Sequence, residues 1–391
     1  MNKPTEKKQG LGNGCPLYKK CGGCQLQNME YPQQLYYKQG KVIGACGRYA
    51  HVSPIIGMDE PVHYRCKVQA AFGMQHGRIV SGVYQSSTHR IVPVDDCMLE
   101  DETADRIIVD IRRLLGDFKL RPFREDTMSG FLRHVLVRRG YHSGQVMVVL
   151  VTGSAAFPSR RAFVDALVRK HPEITTVVQN VNGKFTSLVL GEENIVLHGE
   201  GYIEDTLLGL RFRISPRSFY QVNPRMTEIL YGKAIEFLGL TGTETVIDAY
   251  CGTGTIGMLA AGGAKQVIGV EQNPDAIRDA KWNARQNNVE NIDFVRADAS
   301  AFLSELAERG ERIDALMMDP PRAGSDVRFL HSAAALGPRR IVYVSCNPET
   351  LGRDLGYLVT HGYKAAKVQP VDMFPHTNHV ETVVLMSRVK E

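Results

Sequence analysis

In the C-terminal part of the chain, short runs of β-branched and aliphatic residues alternate with longer segments whose apolar residues recur at helical spacing. The runs at 245–249, 266–270, 292–296, 313–318 and 340–345 are predicted as strands. Near-continuously apolar strands separated by helices predict a parallel sheet covered on both faces. Asn223-Pro224 offers an N-cap followed by proline at the first helical position, for a helix reaching about Leu240. Two further strands, 363–373 and 379–388, are separated by residues 374–378 alone. That gap is too short for a crossover helix, so the last strand is expected to run antiparallel.

Before residue 205 the pattern differs. Residues 31–49 read as a helix, and 64–74, 79–84 and 91–94 as strands broken by glycines. A helix at 101–115, a hairpin of 135–139 and 145–152 about 141–144, a helix at 160–170 and a strand at 175–181 follow. The expected organisation is an α+β module over 1–205 and a doubly wound α/β domain over 206–391. The whole is α/β, with a seven-stranded Rossmann-like sheet in the second domain.

Charge separates the same two parts. Residues 1–150 hold 21 Lys and Arg against 14 Asp and Glu, a net +7, and the remainder holds 26 against 28. A basic module beside a neutral one points to a polyanion, nucleic acid first. No run of 18 apolar residues exists, so no membrane span is expected. Met1 to Gly10 is polar with no apolar stretch behind it, so no secretory signal is expected either. Cytoplasmic thiols or metal ligands, not disulfides, are the expected state of the eight cysteines.

In an open α/β sheet, ligands bind beyond the carboxyl ends of the parallel strands. After the first strand comes Asp248-Ala249-Tyr250-Cys251-Gly252-Thr253-Gly254-Thr255-Ile256-Gly257, a glycine-rich turn leading into a helix. After the second comes Glu271, suited to both hydroxyls of a ribose. After the third comes Asp298, suited to an adenine amino group. The fourth and fifth end in Asp319-Pro320-Pro321-Arg322 and Ser345-Cys346-Asn347-Pro348. Glu381 stands near the start of the antiparallel strand, at the same rim. The glycine spacing also fits a dinucleotide fingerprint. The antiparallel strand, and the cysteine and carboxylate at the rim, argue against a nicotinamide-dependent oxidoreductase, which is kept as an alternative.

A thiol, a carboxylate and a nucleoside cofactor suit one reaction. Uracil C5 is too weak a nucleophile to take a methyl group from a sulfonium. A thiolate adding to C6 makes C5 nucleophilic, and a carboxylate then removes the C5 proton so that the thiolate leaves. Cys346 is the expected nucleophile, its pKa lowered by a helix starting near Pro348. Glu381 is the expected base, and Asp319 and Arg322 would hold the base edge or its phosphate. Cys15, Cys21 and Cys24 form a separate cluster that suits a metal; thiolates hold zinc or iron–sulfur, and the spacing does not decide.

Together, Asp248-Ala249-Tyr250-Cys251-Gly252-x-Gly254, Asp319-Pro320-Pro321-Arg322, Ser345-Cys346-Asn347-Pro348 and His379-Val380-Glu381 resemble the RNA uracil-5-methyltransferases that use S-adenosylmethionine. The resemblance implies Cys346 as nucleophile and Glu381 as proton acceptor. It implies donor contacts at Gln221, Tyr250, Glu271 and Asp319, with Gly252 and Gly254 in the glycine turn, and matches Thr255 and Asp298 to donor positions in some members. The branch it is most similar to acts on 23S ribosomal RNA and carries a 4Fe–4S cluster. That implies Cys15, Cys21, Cys24 and Cys97 as ligands, with zinc as the alternative. The branch acting on tRNA lacks these cysteines and is the alternative function. Many relatives begin with a small β-barrel RNA-binding domain, expected to be absent here. By the same resemblance, residues 30–57 would pack on the catalytic domain. RNA is the expected partner and a monomer the expected state. The target uridine must be single-stranded or flipped out of its stack. Arg65, Lys67, Arg133, Arg138 and Arg139, with residues 119–124, form the expected RNA track, and Phe123, Phe131 and Tyr141 lie among these charges.

Overall fold

The computed structural model describes residues 14–85, 88 and 90–389; the opening segment Met1 to Gly10 lies outside the described residues. The chain starts with a single turn, α1 (Tyr18–Cys21), and a longer helix, α2 (Tyr31–Cys46). Glu30 is extended and Pro32 occupies the first turn of α2, where a missing N–H costs nothing. The next strands are β1 (Lys67–Gln75), β2 (Arg78–Tyr84), β3 (Ile91–Pro93), β4 (Leu132–Arg139), β5 (Val146–Thr152), β6 (Ile174–Val181) and β7 (Glu193–His198). They form a seven-stranded sheet in the order β3-β2-β1-β4-β5-β6-β7. The helices α3 (Glu102–Asp117) and α4 (Arg160–Lys170) cover it, burying Ile107, Ile111, Phe163 and Leu167 against Val135, Val148 and Val177. Asp101 caps α3 by accepting hydrogen bonds from the N–H of Thr103 and Ala104.

A two-stranded hairpin follows, β8 (Ile203–Leu207) and β9 (Leu210–Ile214). It links the two sheets: Asp205 accepts bonds from the N–H of Tyr141, His142 and Ser143, while Phe212 enters the core of the second sheet. The expected division after residue 205 falls inside β8, because this hairpin belongs to both parts. Neither the hairpin nor β7 was expected from the sequence. The exposed pattern of β7 carries little hydrophobic signal, and the hairpin turns at Leu208-Gly209, both at positive φ, without the Asn-Gly or Asp-Gly that marks such turns.

The second sheet is built from β10 (Thr245–Ala249), β11 (Gln266–Glu271), β12 (Ile292–Arg296), β13 (Ala315–Met318), β14 (Arg340–Ser345), β15 (Tyr363–Val371) and β16 (Glu381–Arg388). Their order is β12-β11-β10-β13-β14-β16-β15, parallel from β12 to β14, with β16 antiparallel to both neighbours. Side chains alternate between two cores: Val246 joins one, Ile247 and Ala249 the other. The helices α5 (Pro224–Leu238), α6 (Thr255–Ala261) and α7 (Pro274–Gln286) supply the first core; α8 (Ala299–Glu308), α9 (Val327–Leu336) and α10 (Pro348–Thr360) supply the second. The N-terminal α2 joins the second core through Val42 and Cys46, packing on α10 and β15. Full burial of an aliphatic side chain such as Val42 contributes about 1.5–3 kcal/mol. The order in which the chain adds strands reverses between β10 and β13, and there the connections part to leave a crevice at the carboxyl ends.

Candidate active site

The crevice holds a cavity of about 590 Å3 whose wall includes Gln221, Tyr250, Gly252, Thr255, Glu271, Asp298, Asp319, Arg322, Cys346 and Glu381. Residues up to 160 positions apart in the chain thus meet because they cluster where strands end and helices open at one rim. Gly254 is not in the lining. It caps α6 at φ +78°, and a Cβ there would come within 2.7 Å of the Phe294 ring, so its role is packing.

Local structure fixes each side chain. Tyr250 sits at φ +65°, a strained position for a bulky residue, which turns the chain sharply after β10. Its ring packs 5.3 Å from that of Phe329. Glu271 accepts bonds from the N–H of Gly252 (3.2 Å) and Asn273 (2.8 Å), so its carboxylate is held between two turns. Asp298 caps α8 through the N–H of Ala301. Asn347 caps α10 and donates to the carbonyl of Arg322 (3.1 Å), as does the hydroxyl of Thr350 (3.2 Å). Those bonds place exposed Arg322 beside half-buried Cys346.

The cavity is acidic: its wall carries five carboxylates, Asp248, Glu271, Asp298, Asp319 and Glu381, against one arginine. Burial pushes Asp319 up to about 7. Burial, then the Asp319 charge, pushes Glu381 up to about 8, with Arg322 opposing. Asp248 rises to about 8 by burial and by Asp319 and Glu271, against a hydrogen bond from the Gly257 N–H. The Cys346 thiol is pushed up to about 11 by burial, then by Glu381 and Asp319, with Arg322 opposing. The lowering expected from the start of α10 is therefore overturned; burial and two neighbouring carboxylates outweigh the helix. Oδ2 of Asp248 and the hydroxyl of Tyr220 are buried without a hydrogen-bond partner, and both residues line the cavity. An unpaired carboxyl oxygen and an unpaired hydroxyl in an acidic, partly apolar pocket fit a ligand that carries a positive centre and polar groups able to pair with them.

Some wall residues escaped the sequence reading. Thr227 and Tyr231 lie one turn apart on the face of α5 that meets the cavity, and Tyr231 hydrogen-bonds to Gln221. That spacing was a usable signal. Phe374 lies in the connection read only as a spacer, and exposed Phe219 precedes Gln221.

Two expected RNA contacts are corrected. Arg133 is buried, donating to the carbonyls of Asn182 and Lys184 and pairing with Glu125 at 2.8 Å. Arg138 is buried too, and donates to the carbonyl of Ser218 at 2.6 Å. Both ends of this hairpin strand lie beneath neighbouring loops, so these guanidinium groups satisfy backbone carbonyls instead of facing a polyanion. Phe123 and Phe131 are likewise buried. Arg139 is partly exposed and paired with Asp101 at 2.8 Å, Arg65 lies over the Tyr64 ring, and Lys67 is half-buried, its amine lowered to about 8 chiefly by burial.

Cys15 and Cys21 are close enough to Cys24 to reinforce the burial that pushes its thiol up to about 11. Cys24 and Cys97 pack against one core, and burial together with Glu100 pushes Cys97 up to about 12. Among the described residues, no three His, Cys, Asp or Glu side chains converge as a metal-holding group, so the expected four-cysteine set is not assembled here. Cys46 is buried on the inward face of α2, and Cys66 lies against the carbonyl of Gln221.

The sheet order and the cavity define a class I methyltransferase fold. The model of the tRNA (uracil-5-)-methyltransferase family matches residues 191–389. An uncharacterized RNA methyltransferase of Halalkalibacterium halodurans is 45% identical over 377 residues, 95% of this chain and 82% of that protein. One from Clostridium acetobutylicum is 43% identical over 382 residues, 96% of this chain and 83% of its own. Among solved structures, the tRNA (uracil-54, C5)-methyltransferase of Pyrococcus abyssi, in complex with S-adenosyl-L-homocysteine, matches with a TM-score of 0.77 and 28% identity, over 93% of this chain and 85% of that one. The chain belongs to the S-adenosylmethionine-dependent uracil-5-methyltransferase family. The oxidoreductase alternative finds no support in these relatives. Among the described residues no helix is long and apolar enough to cross a membrane.

Proposed function

We propose that this protein forms 5-methyluridine in ribosomal RNA, with Cys346 as nucleophile and Glu381 as base. The observation that carries the reading is the presence of Cys346 and Glu381 in the lining of one cavity. Cys346 adds through sulfur to uracil C6, and the C5–C6 electron pair moves toward the O4 carbonyl, so that C5 becomes the nucleophile. S-adenosylmethionine, when bound, supplies the methyl group to that carbon. Glu381 then takes the C5 proton, the C5=C6 bond re-forms, and the Cys346 thiolate leaves. Cys346, Glu381 and Asp319 ionise more readily once a positive charge shares their cavity, because their acidity is suppressed by burial and mutual repulsion. Glu271 orients a ribose through its hydroxyls, Gln221, Tyr250, Gly252, Thr255 and Asp298 complete the donor site, and Arg322 holds the target nucleotide at the mouth.

The ribosomal assignment rests on the spacing of Cys15, Cys21 and Cys24 with distant Cys97. These four are proposed to hold a 4Fe–4S cluster, or zinc, in a cytoplasmic monomer. A second reading, tRNA as substrate, is favoured by the matching family and by the Pyrococcus enzyme. Incubation with labelled methyl donor and separate ribosomal and transfer RNA, followed by nucleoside mapping, decides between them. Label in 5-methyluridine of ribosomal RNA alone supports the proposal. Label in transfer RNA alone selects the second reading, and transfer to neither overturns both.

A further inference from the structure

The connection between β15 and β16 is gripped by the N-terminal segment. On α2 the inward stripe is Gln34, Lys38, Val42 and Cys46, all buried. Its second half is apolar and enters the core. Its first half is polar and turns toward residues 372–378. The Lys38 ammonium donates to Asp372 Oδ1 at 2.6 Å and to the carbonyl of Phe374 at 2.9 Å, and both charged side chains are 0% exposed. Tyr31 donates its hydroxyl to Asp372 Oδ2 at 3.0 Å and accepts from the N–H of Met58. Gln34 accepts from the N–H of His376 at 2.8 Å. The N–H of Leu26 donates to the His376 carbonyl, and the Tyr64 hydroxyl to that of Pro375.

A buried ion pair is a poor way to gain stability, since desolvation offsets its attraction; its returns lie in fixing one geometry. Here the geometry fixed is that of the active site. Asp372 directly follows Val371, which is paired across the sheet with Glu381, and Phe374 is part of the cavity wall. We infer that Lys38 and Asp372 are positioning residues that hold Glu381 and Phe374 in register for removal of the C5 proton. The inference deepens the proposed function and rests on it: a base displaced from the C5 proton slows elimination, while attack by Cys346 proceeds.

The full-length protein is tested in three forms: Lys38→Met; Lys38→Met with Asp372→Asn, which leaves no unpaired buried charge; and Gln34→Leu, which releases His376. Each is assayed for turnover, for donor affinity, and for covalent protein–RNA adduct by denaturing gel. In the folded variants turnover is expected to fall on the order of 10²-fold, with donor affinity within about twofold and adduct accumulating. Adduct build-up is a signature that a merely weakened fold does not produce. If the folded variants turn over like the wild type, or slow without adduct, the inference is overturned. Failure of the wild type to form adduct with 5-fluorouridine RNA instead overturns the proposed function. Should Lys38→Met alone unfold, the paired substitution and Gln34→Leu decide.

Discussion

Cys346 and Glu381 flank the last rung of one antiparallel ladder: Ser345 pairs with Thr382, and Cys346 follows the first while Glu381 precedes the second. Both side chains line the cavity, and the thiol is near enough to the Glu381 charge for its pKa to be raised by it. Pairing of the adjacent residues therefore brings thiol and carboxylate to one rim. Cys346→Ala removes a half-buried sulfur without disturbing that pairing. It is expected to retain donor binding and a melting temperature near the wild type, while losing all methyl transfer and all capture of 5-fluorouridine RNA. Denaturing electrophoresis with labelled RNA checks this, and full activity would sink the assignment.

Glu381→Gln keeps size and buried position but removes the acceptor for the C5 proton. Turnover should fall about 10²–10⁴-fold, with protein–RNA adduct accumulating under conditions where the wild type shows little. Since burial and Asp319 hold the carboxyl up at about 8, a neutral amide should not destabilise the ligand-free protein at neutral pH. A single-turnover time course that separates adduct formation from methyl release provides the test.

Adjacent arginines of one strand should behave in opposite ways. Buried Arg138 donates to the Ser218 carbonyl, in the segment that leads to Gln221. Arg138→Met leaves that carbonyl unsatisfied and should cost about 1–3 kcal/mol of stability. Arg139→Ala removes an ion pair with a partly exposed guanidinium and should change stability by about 0–1 kcal/mol. Urea unfolding of the two variants side by side tests the contrast, and equal losses would contradict it.

The cysteine segment makes its own prediction. If Cys15, Cys21, Cys24 and Cys97 hold 4Fe–4S, protein purified without oxygen should be brown, absorb in the visible, and contain about four irons per chain. Cys24→Ser should bleach it. Colourless protein with one equivalent of zinc would select the alternative, and protein with neither metal would reject both.

The strands of the second sheet were legible because each is a short apolar run bounded by a turn, and much of the cavity wall because it lies in those turns. Burial was not legible. Arg133 and Arg138 read as surface charges until the loops above them are in place. The direction of the Cys346 shift also depends on Glu381 and Asp319, which meet the thiol only through the sheet order. The hairpin of β8 and β9 lacked turn chemistry, and the grip of Lys38 on Asp372 joins residues 334 positions apart. Periodicity reports which face is buried, not what is buried against it.

Stability should fall as pH rises, with the sign set by the same carboxylates. Asp248, Asp319 and Glu381 hold their protons to about 8, 7 and 8 in the folded chain, against ordinary values of 3.8, 3.8 and 4.5. A folded state that binds protons more tightly than the unfolded one is stabilised by them. That contribution is complete below the ordinary values and is lost as pH climbs through about 7 to 8. Asp319→Asn removes one such carboxyl and the charge that raises the other two. Its melting temperature, relative to the wild type, should therefore increase steadily from about pH 5 to about pH 8. The sulfonium donor should also protect the wild type more than its neutral thioether product does, by a margin that widens over the same window. A constant difference between variant and wild type, or equal protection by the two ligands at every pH, would mean that the cavity's acids do not titrate as a coupled group.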